Sequence, residues 1–195
     1  MKKLFFLLLT CSSLQLFAQD YKTAVETQFM HYTHALMQKD FKAALEYMND
    51  DFFTFVSKEQ MLLVMDKVYN SPEIEFKILN PQVLNVDTLY IIDGIYYVML
   101  RYSNDLEMKF LDNSKIQDSM AKAEENSLTL KALQQEFGEN NVKHVNEKDL
   151  FSIYSAKSVI ANSRDLKSWK FIVVEEKQIP LLEKFIPKEI LERVK

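Results

Sequence analysis

The chain has 195 residues, with 24 lysines and arginines against 28 aspartates and glutamates, and a net charge of −4. Its hydrophobic share of 48% belongs to a folded chain, not a disordered one. A mildly acidic chain without a basic cluster is a poor match for nucleic acid or an anionic lipid surface.

Lys2 and Lys3, the greasy run Leu4–Leu9 and the small residue closing Leu16-Phe17-Ala18 have the layout of a secretory signal peptide over residues 1–18. The run is too short for a stable membrane span. Leu9 and Thr10 fit poorly in front of Cys11 as a lipoprotein cleavage site, so a soluble product, periplasmic or secreted, is expected over a lipid-anchored one. The mature chain then covers residues 19–195 as one domain with no integral membrane span. Losing a leader with two lysines and no acid takes its charge from −4 to −6. Cys11 is the only cysteine, so the mature part offers no disulfide, thiol nucleophile or cysteine–metal site.

Three helices are predicted first. Val25, Phe29, Tyr32 and Leu36 share one face of a helix from Asp20 to about Lys39. Asp40 caps a second, with Phe41, Ala44, Leu45 and Met48 as its stripe, ended by Asn49-Asp50-Asp51. Phe52, Phe53, Phe55 and Val56 follow as an apolar connection. Ser57 and Gln60 have capping-box spacing and open a third helix, read with Met61, Val64, Met65 and Val68 inward.

The period then changes to two. Ile74, Phe76 and Ile78 alternate with charge, and the strands 84–92 and 95–102 flank Asp93-Gly94, a two-residue hairpin turn. Pairing Ile92 with Ile95 sets Tyr90 opposite Tyr97 and Val86 opposite Arg101. Both hairpin faces are apolar near the turn, so each needs a cover. A further strand carries Leu106, Met108 and Phe110. Residues 113–138 read as a surface helical insertion from Lys115 to Phe137, with a Leu130, Leu133, Phe137 seam and Gly138 as terminator. Strands return at 150–160 and 168–174, and a tail over 180–195 holds two short helices opened by Pro180 and Pro187.

Few residues advertise chemistry. His31 and His34 have metal-ligand spacing, but they avoid the apolar stripe, and His144 reads as part of a polar loop. No metal site and no cofactor is expected. Of the carboxylate pairs, Glu124/Glu125 and Glu175/Glu176 read as solvated termini, while Asp50/Asp51 border the aromatic connection. Tyr90, Tyr96, Tyr97 and Tyr102, with Arg101, put hydroxyls and a cation on an apolar sheet, the expected lining of a ligand pocket, with Tyr90, Tyr97 and Arg101 as the candidate contacts. Core packing of strand tyrosines explains the same residues. No catalytic residue is assigned, and nucleotide loops, serine elbows and HExxH are missing.

The order of elements, with Lys39-Asp40-Phe41…Ala44-Leu45…Met48 and Ser168-Trp169-Lys170-Phe171-Ile172, resembles the NTF2-like superfamily over roughly Tyr21 to Glu175. It resembles most the uncharacterised signal-peptide-bearing members of Gram-negative bacteria. The resemblance implies an α+β fold, three N-terminal helices packed on a curved antiparallel sheet that forms a cone, often dimeric through the outer sheet face. It implies no single chemistry. The expected function is non-enzymatic binding of a small apolar ligand or a protein partner, with a homodimer through the sheet face. The alternative is an isomerase- or hydrolase-type cavity enzyme using Asp50 or Asp51 as base and Tyr97 as hydrogen-bond donor.

Overall fold

A computed structural model describes residues 21–111 and 116–193. The expected leader lies outside the described residues, as does the start of the insertion helix at Lys115. Residues 21–37 form helix α1, with Val25 and Phe29 buried and Tyr32 and Leu36 half-buried, as the stripe requires. Helix α2, Phe41–Leu45, is capped by Asp40, whose side chain accepts from the Ala43 N–H. It is one turn shorter than its stripe suggests. Asn49 does not end it but opens a 3₁₀ turn, Asp50–Thr54, accepting from the Asp51 N–H, so the aromatic connection is itself helical.

Helix α3, Lys58–Tyr69, has the full Ser57/Gln60 capping box, but none of its residues is buried. The expected inward stripe is wrong at two positions, for Val64 is 55% and Val68 54% exposed. Met61, Leu62, Met65 and Tyr69 are the half-buried side instead. Apolar residues run unbroken from Met61 to Met65, so periodicity alone could not fix which face turns inward.

The sheet is six-stranded, antiparallel and open, in the order β1-β3-β5-β4, with β2 beside β3 and β6 beside β5. Strand β1 is Ile74–Val86, β2 Tyr90–Ile92 and β3 Ile95–Phe110. The segments read as separate pieces before and after Asn80-Pro81 are one strand, bulged between Leu79 and Gln82 where Asn80 adopts φ 50°. Likewise Leu106, Met108 and Phe110 do not start a further strand; they continue β3. Asp93 and Gly94 take the φ of 50° and 76° that the tight turn demands, and Tyr90 pairs with Tyr97. Val86, however, faces Leu100, and Asn85 faces Arg101. Residues 87–89 leave the ladder between β1 and β2, with the Asp87 N–H bonded to the Met99 carbonyl, and this break slips the register by one.

Helix α4, Ser119–Phe137, is capped by Asp118 and stopped by Gly138 at φ 98°. His144 is not in a loop: it lies on β4, Val142–Val145, with its ring 4.8 Å from that of Phe151. Strand β5 is Leu150–Ser163 and β6 Lys170–Val173, followed by helices α5, Ile179–Leu182, and α6, Lys188–Leu191. The chain is thus α+β, with six α-helices among the described residues.

Alternation on β3 creates two cores. Val98 and Leu100 face α1, joining Val25, Phe29, Val159, Trp169 and Phe171. Tyr97 and Met99 face the other way, onto Ile160 and Ile172, and are covered by Leu182, Ile186, Ile190 and Leu191. The second apolar face therefore finds its cover within the chain, in the proline-opened tail. Farther along the α1 side, Leu130, Leu133 and Phe137 of α4 close over Leu106, Val142 and Ile153.

Candidate functional site

Along the helix-covered face of β3, α1 sits over one half and α4 over the other. Tyr102 and Asn104 stand between these covers, opposite Lys157 and Ser155 of β5. A polar asparagine on this face is out of pattern, since Val98, Leu100 and Leu106 share it. Asn104 is 7% exposed, and its Oδ1 is buried without a hydrogen-bond partner. Such an atom retains its desolvation penalty until a donor arrives.

Two further tyrosines, Tyr32 and Tyr69, gather around Tyr102. The Tyr102 ring lies 4.8 Å from that of Phe29, edge to face. Burial, with Glu175 and Tyr69 adding to it, pushes the Tyr102 hydroxyl up to about 12. Tyr69, at the end of α3, is likewise raised by burial to about 12, and Tyr32 of α1 is raised by burial and then by Tyr102 and Tyr69. Phenols held so high stay protonated at any physiological pH. They can donate and accept hydrogen bonds but cannot serve as bases. Tyr69 also stacks edge to face on Phe76, 5.3 Å away, at the wall of a cavity of 710 Å³ lined by Leu36, Met37, Phe76 and Ile78. Lys39 anchors this wall, donating to the Tyr69 carbonyl and Asn70 Oδ1, each at 2.8 Å. On the α4 side, Lys157 pairs with Glu175 at 2.9 Å and lies 5.7 Å over the Phe137 ring.

Of the residues singled out from sequence, Tyr96 and Tyr102 lie on this face, while Tyr90, Tyr97 and Arg101 lie on the opposite one. Tyr90 and Tyr97 do meet as a cross-strand pair, but under the tail. The Tyr90 hydroxyl accepts from Thr88 Oγ1 and from Arg193, both at 3.2 Å. Arg101 is exposed and four residues from Tyr97, about 13 Å along the strand. Burial raises the Tyr97 pKa first, then the charge of Asp51 and of Asp93, with Arg164 opposing. Asp50 is exposed and lies 3.7 Å from Lys170. His31 and His34 are both exposed, and the described residues hold no group of three His, Cys, Asp or Glu able to grip a metal. No helix among them is long and apolar enough to cross a membrane.

Tyr32 is legible in the sequence only as part of the α1 stripe, and Tyr69 and Asn104 escaped the sequence reading. The signal for Asn104 was present, a lone polar residue on the apolar face of a strand, but it needed β3 to be read as one element. No protein-family model and no curated protein matches the chain.

Proposed function

We propose that the chain is an exported, non-enzymatic binding protein of NTF2-like build. Between α1, α3, α4 and the sheet, beside Asn104, it takes a small, mostly apolar ligand carrying one hydrogen-bond donor. The observation that carries this reading is the buried, partnerless Oδ1 of Asn104 beside Tyr102. Aromatic walls with a few fixed polar groups are the usual composition of a small-molecule site.

The test is native mass spectrometry of the protein purified from its own host's envelope fraction. A mass exceeding the chain by a few hundred daltons, lost in an Asn104→Leu variant that still folds, supports the reading. A bare mass for the unaltered protein overturns it. Export is read from the leader alone; N-terminal sequencing of the same sample should begin at Gln19, and an intact Met1 would refute it.

One observation favours the cavity-enzyme alternative: the charge of Asp51 adds to the burial that raises the Tyr97 pKa. On that reading Asp51→Asn abolishes turnover in a screen of simple esters and enolisable ketones while leaving thermal stability unchanged. Absence of turnover in the unaltered protein removes it.

A further inference from the structure

One edge of β1 carries no strand within the sheet. Within the sheet β1 bonds only to β3, so its other edge faces the cavity beside Tyr69. The Leu111 N–H donates to the Glu73 carbonyl at 2.8 Å, next in line to the Ile74–Phe110 pair. Bonding alternates along an antiparallel ladder. Glu75, Lys77 and Leu79 therefore turn their backbone groups toward β3, and Ile74, Phe76 and Ile78 turn theirs outward.

Exposed edges of this kind are usually blunted by bulges, prolines and charges. Here the bulge and Pro81 come only after Leu79, leaving Ile74–Ile78 flat. The charges on this stretch are Glu75 and Lys77, one on each side of Phe76, and within the chain they pair with each other at 2.7 Å.

We propose that two copies of this chain join antiparallel through β1, about a two-fold axis at Phe76, and extend the sheet across both. The register follows from symmetry. Phe76 meets the partner's Phe76, and Ile74 meets the partner's Ile78, on the helix-covered face. These are the residues whose backbone groups point outward, so each opposed pair exchanges two hydrogen bonds. On the other face Glu75 meets the partner's Lys77, and Lys77 the partner's Glu75. Glu75 already faces Lys109 within the chain, and Lys77 faces Glu107. The dimer therefore continues a row of alternating charge, Lys109, Glu75, Lys77, Glu107, across the boundary without a like-charged neighbour. A foreign strand meets a lysine and a glutamate that it must match in order; a second copy matches them by symmetry.

Charge exchange tests this. In Glu75→Lys both edge charges are positive, and in Lys77→Glu both are negative, so each variant opposes like charges in its own dimer. Mixed together, every opposed pair is again of unlike sign. The unaltered full chain should show a two-chain mass by native mass spectrometry and sedimentation. Each folded variant alone should dissociate about tenfold or more readily, and the mixture should form one-to-one heterodimers. Circular dichroism checks that both variants fold, and a failed fold is replaced by Glu75→Gln and Lys77→Gln, which should each weaken the dimer less. A single-chain mass across the micromolar range overturns the proposal. So do folded variants that dimerise as well as the unaltered chain, or a mixture that stays monomeric.

Discussion

Arg193 lies over the ring of Tyr90, its guanidinium carbon 4.2 Å from the centroid, and donates to the same tyrosine's hydroxyl at 3.2 Å. This contact ties the last described residue of the tail to the hairpin strand β2. Beneath it, Leu182 and Ile190 are fully buried against Tyr97, Met99 and Ile160. Cation–π contacts at exposed sites contribute about 0.5–1 kcal/mol, and truncating a buried isoleucine costs about 2–5 kcal/mol. Arg193→Ala should therefore lower stability by about 1 kcal/mol, and Ile190→Ala by several times as much in the same urea titration. Equal losses would mean that the tail is held by its end and not by its apolar face.

Asn104 should be a site where stability and binding trade against each other. Its buried Oδ1 lacks a donor, and replacing a partnerless polar group with an apolar one of similar shape removes a penalty of about 1–3 kcal/mol. Asn104→Leu should thus raise the unfolding free energy of the ligand-free protein, read by chemical denaturation, while removing its ligand. A destabilised Asn104→Leu would show that the asparagine amide is serving the fold.

The elements that rest on local signals were legible in the sequence. Asp40, Ser57 and Gly138 mark helix ends through hydrogen bonds or φ values set by a few neighbouring residues, and Asp93-Gly94 fixes its turn in the same way. The need for two covers was also readable from the two-sided hairpin, although the sequence did not say that residues 179–191 would supply one of them. Where apolar residues are continuous, as in Met61–Met65, the inward face is chosen by distant partners, and periodicity misplaced Val64 and Val68. Register failed at Val86 because a three-residue break leaves no trace in alternation. The cleft was illegible for a related reason. Tyr32, Tyr69 and Tyr102 come from three elements, and only their docking brings the hydroxyls close enough to raise one another's pKa.

The turn between β5 and β6 should report pH. Asp165 accepts from the backbone N–H groups of Lys167 and Ser168, both at 2.8 Å, and these bonds hold its pKa low, at about 2 against an ordinary 3.8. A carboxylate depressed on folding adds stability above its unfolded pKa and loses it as pH falls through the folded one. The contribution should be complete above about pH 4 and fade toward pH 2. Asp165→Asn should be less stable than the unaltered protein at pH 7, with the gap closing at pH 2. Trp169 fluorescence is the natural probe, since this turn sets Trp169 against α1: its backbone N–H donates to Gln28 Oε1 at 2.9 Å. A gap that stays constant with pH would refute the charge argument.

Helix α3 has no buried residue, so its stability should depend unusually on its own cap. Short helices are marginal without packing, and the Ser57 hydroxyl accepts from the Gln60 N–H at 3.2 Å while Gln60 Oε1 accepts from the Ser57 N–H at 3.0 Å. Removing such a cap costs about 1 kcal/mol. Ser57→Ala should speed hydrogen exchange across Lys58–Tyr69 several-fold while leaving β3 and β5 amides unchanged, because those strands hold the two cores independently. Tyr69 closes the far end of this helix, so the same variant should release ligand faster than the unaltered protein. Unchanged exchange in α3 would mean that contacts with α2 and the sheet, and not the cap, hold the wall of the cleft in place.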